Sequence, residues 1–151
     1  MPHLAQLNVA RALHPLDDPR MEGFTRQLDA INALAEASPG FVWRLKTDAG
    51  DATDIRVEGD PRLIVNMSVW TSIEALRGYV FKSAHGGVMK QRRTWFEAMD
   101  TPSLVMWWVE PGTVPTLSEG LDRLAELARS GPSARGFTFR AVVAPPDGEG
   151  P

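Results

Sequence analysis

The sequence has no cysteine, and this absence excludes several kinds of site. Without a thiol the chain can form no disulfide, no thiolate nucleophile, no zinc–thiolate site and no iron–sulfur cluster. It also has no apolar run close to the roughly 18 residues that a membrane span requires. No basic and then apolar leader follows Met1. We therefore expect a soluble, cytoplasmic protein.

Positive charge is scarce as well. The 16 Lys and Arg residues are outnumbered by 19 Asp and Glu residues, which gives a formal net charge of -3 and a pI near 5.6. No segment is dense enough in Lys and Arg to attract a phosphate backbone. Nucleic acid is therefore not expected as a partner.

Familiar catalytic motifs are missing too. The sequence contains no Gly-rich phosphate-binding loop, no G-x-S-x-G motif and no H-E-x-x-H motif. Ser83 lies two residues before His85, which is too close for a nucleophile and its base. His3 lies near the terminus and His14 in a Pro-rich loop, and we predict no metal site at either. These absences argue against hydrolases, kinases and nicotinamide-dependent enzymes.

The sequence does contain enough apolar residues for one core. Its 151 residues are 43% hydrophobic and include five Trp and six Phe, which suits one compact domain. No repeat or linker divides the chain. We expect a single domain over residues 1–143, followed by a disordered tail, APPDGEGP, over residues 144–151.

The residue pattern also predicts the order of the elements. Strands are predicted in HLAQLNVARAL, FVWRL, LIVNMSVW and SLVMWWVEPG, and helices in MEGFTRQLDAINALAEA, in TSIEALRGYVF, from about His85 to Met99, and from Pro115 to Gly131. The segment FTFRAVV is expected to form a strand or an extended arm. The order strand, helix, strand, strand, helix, strand is the split βαβ pattern of a ferredoxin-like α+β domain with an antiparallel sheet.

The strand LIVNMSVW is polar on one face. One set of alternate positions is entirely apolar, whereas the other includes Asn66, Ser68 and Trp70. Such a face on a central strand indicates a cavity, or alternatively a hydrated dimer interface. Asn66 could hold an oxyanion, and Trp70 could donate to the same oxygen or stack on a flat ring. Gln6 and Asn8 extend this polar surface on the first strand.

The segment YVFKSAHGGVMKQRRTWF supplies a second set of candidates. His85, Met89, Arg92 and Phe96 fall at i, i+4, i+7 and i+11, which places them on one helical face. Met89 and Phe96 are expected to pack, and Arg92 could pair with a phenolate or carboxylate. His85 could ligate iron, act as a base or hydrogen-bond a carbonyl. A structural histidine and a structural salt bridge are the alternatives.

The chain resembles the bacterial family called domain of unknown function 3291 in five segments: PGFVW, NMSVWTSIEALRGYVFKSAH, RRTWF, WWVEPGTVPTLSEGLDRL and GPSARGFTFR. That family is similar in turn to the dimeric α+β barrel superfamily, in which two ferredoxin-like sheets pair face to face and each subunit holds a cavity. The link is a strand, then V-W-x-S-x-E-A-L, a short helix and a His. This phrase resembles antibiotic-biosynthesis monooxygenases and haem-degrading monooxygenases, and the superfamily implies a homodimer.

One set of site residues implied by the resemblance comes from the cofactor-free quinone-forming monooxygenases. Those enzymes use an Asn and a Trp four residues apart on the strand, together with an arginine further along. The corresponding positions here are Asn66 and Trp70, with Arg92 or Arg93 as the arginine.

The other set comes from the haem-degrading relatives. They use an Asn on the first strand, an aromatic residue on the short helix and an axial His in a phrase similar to VFKSAH. These positions are Asn8, Tyr79 and His85 here. The relatives carry Trp where Tyr79 stands and have a longer segment before the His.

Our leading hypothesis is a homodimeric, monooxygenase-like oxidoreductase without a bound cofactor. It would act on a flat hydrophobic molecule, aromatic or polyketide-like, by proton abstraction and then oxygenation or cyclisation. The expected catalytic residues are His85, Asn66, Trp70 and Arg92, and the expected substrate-binding residues are Asn8, Gln6, Ser68, Tyr79, Met89 and Phe96. The alternatives are a haem protein with His85 as axial ligand and a non-catalytic module that binds a small molecule.

Overall fold

The computed structural model describes residues 2–15, 17–46, 62–84, 92–98 and 101–145. The strands within these ranges are β1 (His3–Arg11), β2 (Phe41–Arg44), β3 (Leu63–Trp70) and β4 (Leu104–Val109). The helices are α1 (Glu22–Thr25), α2 (Leu28–Ala37), α3 (Ile73–Ala84), α4 (Arg92–Trp95) and α5 (Leu117–Ser130). A 3₁₀ turn, Pro19–Met21, precedes α1.

The strands form one antiparallel sheet in the order β2-β3-β1-β4. Helix α2 connects β1 to β2, and α3 follows β3 before the chain returns as β4. This order and these connections are those of a ferredoxin-like fold, which confirms the predicted α+β class.

Helices α2 and α3 cover one face of the sheet, which we call the α2–α3 face. Its apolar cluster contains Leu4, Trp70 and Met106 from the strands, with Ala35 from α2 and Leu76 from α3. Helix α3 begins within the predicted segment TSIEALRGYVF. The Ser72 hydroxyl caps it by accepting a hydrogen bond from the Ala75 backbone N–H at 3.1 Å. The buried strand residues and the two helices therefore form one layer of the core.

Helix α5 covers the opposite face, which we call the α5 face. Leu127 packs there on a cluster that includes Leu7, Met67 and Trp107. The helix can lie close to the sheet because Gly120 has no side chain. A Cβ at this position would be 3.2 Å from Leu7 Cδ2 and 3.3 Å from Met67 Sδ. No helix in the described part of the chain, α5 included, is long and apolar enough to cross a membrane.

A third apolar cluster lies at the far end of the α2–α3 face. Ala12, Met21, Phe24 and Trp95 are buried in it, and Ile64 of β3 packs against it. The β3 face that carries Trp70 at one end thus carries Ile64 at the other. Both ends of this face are apolar.

The first predicted helix is wrong in one respect, because it is broken in two. Helix α1 ends at Thr25 and α2 begins at Leu28. The two parts pack on different clusters, with Phe24 against Trp95 and Ala35 against the other end of the sheet. The Gln27 side chain stabilises the break, since its Nε2 donates to the Gly23 carbonyl at 2.7 Å.

The predicted helix from His85 to Met99 is wrong at its end. Helix α4 ends at Trp95, and Phe96 pairs with Ala12 in an isolated bridge. The Leu13 N–H donates to the Trp95 carbonyl at 2.8 Å and the Glu97 N–H to the Arg11 carbonyl at 2.9 Å. After Trp95 the chain runs beside the end of β1. Its backbone groups form hydrogen bonds there instead of the bonds that another helical turn would need. Residues 85–91 and 99–100 lie outside the described ranges.

The C-terminal segment forms an arm, the second of the two predicted possibilities. Phe137 and Met106 exchange two backbone hydrogen bonds of 2.9 Å at the outer edge of β4. The Trp108 Nε1 donates to the Val143 carbonyl at 2.8 Å. Trp107 and Trp108 lie on opposite faces, and both pack in apolar clusters.

Candidate functional site

A group of polar side chains lies in the middle of the α2–α3 face. Gln6 and Asn8 of β1 stand directly opposite Ser68 and Asn66 of β3. Opposite residues on antiparallel strands share a face, so these side chains meet. Because β3 places Ile64 and Trp70 on either side of them, this polar cluster is flanked by apolar residues at both ends of the strand.

The side chains of the polar cluster form hydrogen bonds with one another. Gln6 Nε2 donates to Ser68 Oγ at 2.8 Å and to Asn66 Oδ1 at 2.9 Å. Asn8 Nδ2 donates to Gln6 Oε1 at 2.9 Å and to Asn66 Oδ1 at 3.2 Å. Trp70 Nε1 donates to Ser68 Oγ at 2.8 Å. The side chains therefore hold one another in fixed positions.

Two donors of the polar cluster are not used within it. Among the described residues, none accepts a hydrogen bond from Asn66 Nδ2 or from the Ser68 hydroxyl. Both lone pairs of Ser68 Oγ receive N–H groups, so its proton must point to another acceptor. Ser68 is 6% exposed and Gln6 is 3% exposed. Since buried polar groups normally find partners, these donors suit an oxygen atom of a bound molecule.

The three amides can also turn together. If each exchanges its oxygen and nitrogen, the same contacts remain, and the spare NH₂ group belongs to Asn8 instead of Asn66. In that arrangement the Ser68 hydroxyl donates to Gln6. In both arrangements an amide donor is left over at the Asn8–Asn66 pair.

Aromatic rings form the apolar surface at the Trp70 end. Trp70 is fully buried, and its ring stacks on Tyr79 with centroids 5.2 Å apart and meets the edge of Phe41 at 5.6 Å. Burial raises the pKa of Tyr79 above its ordinary value, and the nearby positive charge of Arg44 lowers it in part. The Trp70 N–H is bonded to Ser68, so the predicted donation to a substrate oxygen stays a prediction.

Aromatic rings also border the polar cluster at its other end. Phe24 packs edge-on to Phe96 with centroids 4.9 Å apart and is tilted against Trp95 at 6.0 Å. Phe96 thus belongs to an apolar cluster, as expected, although it has left the helix. Phe41, Tyr79 and Phe96 are the partly exposed rings among these. Apolar and aromatic side chains around a few polar groups are the usual lining of a small-molecule site.

Some predicted site residues are not tested by the structure. His85 and Met89 lie outside the described residues. The Arg92 backbone begins α4, but its side chain is outside the described part of the chain. The roles predicted for these three residues stay predictions. No cluster of three or more His, Cys, Asp or Glu that could hold a metal ion occurs in the described ranges.

One charged residue near the polar cluster was missed by the sequence analysis. Arg44 of β2 lies opposite Ser68, and its side chain is only 11% exposed. A strict alternation along Phe41–Arg44 would have put it on the α5 face. The register shifts between Phe41 and Trp43, and no residue in this short strand signals that shift.

Comparison with known proteins identifies a family and a shared fold. The chain matches the model of the family described as Domain of unknown function (DUF3291) over residues 3–150. No curated protein matches it. It is similar to the solved structure of NE2512, a protein of unknown function from Nitrosomonas europaea. The identity is 14%, the alignment covers 77% of this chain and 97% of that one, and the TM-score is 0.50. This likeness shows the fold alone.

Two further solved structures are similar at lower TM-scores. SnoaB, a cofactor-independent oxygenase from Streptomyces nogalater, is 17% identical over 78% of this chain and 98% of its own, with a TM-score of 0.46. PA3566 from Pseudomonas aeruginosa is 12% identical over 75% of this chain and 97% of its own, with a TM-score of 0.49.

Proposed function

The chain belongs to the DUF3291 family, and we propose that it is a monooxygenase-type enzyme that acts on a flat, hydrophobic molecule without a bound redox cofactor. The substrate is aromatic or polyketide-like. The observation that supports this proposal is the spare amide donor at the Asn8–Asn66 pair, held by hydrogen bonds between two aromatic surfaces. The resemblance of the Asn66 and Trp70 pair to the cofactor-free monooxygenases points the same way.

Asn66 and Ser68 stabilise negative charge in the proposed reaction. When a proton leaves carbon next to a carbonyl or phenol, charge moves onto that oxygen. A fixed N–H donor in a site shielded from water stabilises such an oxyanion strongly. Trp70 is a positioning residue in this scheme, because its N–H holds the Ser68 hydroxyl in place.

Oxygenation needs no outside reductant. The carbanion gives electrons to dioxygen and the new carbon–oxygen bond yields a hydroperoxide. The O–O bond then breaks as a second proton leaves the same carbon. One oxygen atom ends in a new carbonyl and the other in water, so a CH₂ group and O₂ become C=O and H₂O. In this scheme His85 removes or relays the proton and Arg92 assists, and both roles stay predictions.

The test is turnover of an anthrone. We expect the protein to oxidise 1,8-dihydroxy-9-anthrone to the anthraquinone faster than the spontaneous reaction, with one O₂ consumed for each quinone formed. Removal of an oxyanion donor costs about 10²- to 10³-fold in kcat, so Asn66→Ala should lose most of the activity. If the amides are turned, Asn8→Ala carries this loss instead. The exposed Ser118→Ala variant is the control.

Other outcomes separate the remaining hypotheses. Binding of the anthrone without turnover would identify a non-catalytic binding module. Full activity in both the Asn8 and the Asn66 variants would contradict the proposed oxyanion site. Saturable haemin binding with a sharp Soret band that His85→Ala abolishes would contradict the cofactor-free proposal and favour the haem alternative.

A further inference from the structure

Arg44 faces the polar cluster because of an irregularity in β2. The strand pairs Phe41 with Trp70 but Trp43 with Val69, so β2 has one residue more than β3 at this point. Such a β-bulge changes the face to which the following side chains point. Without it, Trp43 would stand opposite Ser68.

With the bulge, the residue opposite Ser68 is Arg44. Trp43 instead packs on the α5 face. The sheet thus places a cation on the α2–α3 face beside a hydroxyl that offers a proton. Bulges are common next to active sites, where they redirect one side chain.

The Arg44 side chain is buried more deeply than its carboxylate partner. Arg44 is 11% exposed and Glu36 of α2 is 43% exposed. The Arg44 Nε donates to Glu36 Oε2 at 2.7 Å. Withdrawing a guanidinium from water is costly, so a buried arginine next to a polar cluster requires a functional or structural reason.

The charge of Arg44 also reaches the aromatic end of the site. It lowers the pKa of Tyr79, in opposition to the effect of burial. Tyr79 stacks on Trp70, and Trp70 is bonded to Ser68. Arg44 is therefore close to the aromatic residues at the Trp70 end of the polar cluster.

We infer that Arg44 is a specificity-determining residue that selects flat aromatic ligands carrying an ionised oxygen, either a carboxylate or an acidic enol or phenol. The inference rests on the proposed function of the site. A guanidinium binds such groups through paired, charge-assisted hydrogen bonds. The Glu36 carboxylate competes with the ligand for the same cation.

The test compares 2-naphthoate with 2-naphthamide by isothermal titration calorimetry. The two probes have nearly the same shape and differ by one charge. We expect the wild-type protein to bind the carboxylate about tenfold more tightly, which corresponds to about 1.4 kcal/mol. Arg44→Gln should reduce this ratio to about one by weakening the binding of 2-naphthoate.

Two further variants make the test independent of any folding defect in Arg44→Gln. Glu36→Gln, at an exposed position, should increase the preference for 2-naphthoate because a competing carboxylate is gone. Arg77→Gln removes the same charge from the exposed side of α3 and should leave the ratio unchanged. A decrease or no change in Glu36→Gln would overturn the inference.

The results for the two probes also separate this inference from the proposed function. Equal binding of the two probes by the wild-type protein, or a preference that survives Arg44→Gln, overturns the role of Arg44 and leaves the aromatic site in place. Failure to bind either probe overturns both proposals.

Discussion

Ser68 joins Trp70 to the polar cluster. Its oxygen accepts hydrogen bonds from two N–H groups, on Trp70 and Gln6, that have little access to water. In Ser68→Ala these donors lose their acceptor, and an unsatisfied buried polar group costs about 1–3 kcal/mol. We expect the free energy of unfolding in urea to fall by about that amount.

The control for this measurement is Ser118→Ala, the same change at an exposed position of α5. Surface substitutions of this kind usually alter stability by less than about 0.5 kcal/mol. If Ser68→Ala is no less stable than this control, the polar cluster does not hold its members together as described.

Tyr79 gives a direct electrostatic measurement, because it is the sole tyrosine in the sequence. Burial raises its pKa above the ordinary value near 10, so its phenolate absorbance should appear above that pH in the folded protein. In the unfolded chain the phenol of Tyr79 keeps its ordinary pKa. Stability is therefore unaffected by Tyr79 below about pH 10 and falls as pH rises towards the folded-state pKa.

The same titration tests the position of Arg44. Removing its positive charge in Arg44→Gln should raise the pKa of Tyr79 further, whereas Arg77→Gln should have a much smaller effect. Both comparisons are made by spectrophotometric titration of the folded protein. A Tyr79 pKa at or below the ordinary value, or a pKa that does not change in Arg44→Gln, would contradict the described arrangement.

At the site, the sequence predicted what depends on strand alternation. The period of two along β1 and β3 placed Gln6, Asn8, Asn66 and Ser68 on one face, and the structure brings these side chains together. The orientation of Arg44 could not be predicted, because it depends on an extra residue in β2 whose position is set by pairing with β3.

Among the elements, α5 lies close to the sheet at Gly120. A Cβ there would lie 3.2 Å from Leu7 and 3.3 Å from Trp107, so a larger side chain must push the helix away. Overpacking of this kind typically costs about 1–3 kcal/mol. We expect Gly120→Leu to lower the free energy of unfolding by at least this amount, measured by urea denaturation.

Ala128→Leu is the matched control, because Ala128 lies on the exposed side of the same helix. It should have little effect on stability, since leucine is also a good helix former. A Gly120→Leu protein as stable as Ala128→Leu would show that α5 can move away from the sheet at no cost.

The helices and strands were predicted where their signals are local. Helix α5 begins after Pro115 and ends before Gly131, as predicted. Thr116 Oγ1 caps it by accepting a hydrogen bond from the Glu119 N–H at 3.1 Å. The breaks at Thr25 and Trp95 were missed. The first depends on the apolar cluster against which each part of the helix packs, and the second depends on hydrogen bonds to the end of β1. Both involve residues distant in sequence, so a local pattern does not reveal them.

For the whole molecule, the remaining expectation is a homodimer, as the superfamily resemblance implies. Helix α5 already packs on the β1 and β4 side of the α5 face. Trp43, Leu45 and Leu63, on the β2 and β3 side of that face, pack on the cluster but are only partly buried. A second subunit that pairs with this face would therefore meet these residues first.

We expect light scattering at micromolar concentration to give twice the monomer mass of 16.6 kDa. Trp43→Lys should shift the protein towards the monomer, because an interface that buries a lysine must also desolvate its charge. Val114→Lys, at a residue 58% exposed, is the matched control and should remain dimeric. A wild-type monomer would contradict the superfamily assembly and leave the fold intact. If the Trp43→Lys variant remains dimeric, the interface lies on another surface of the protein.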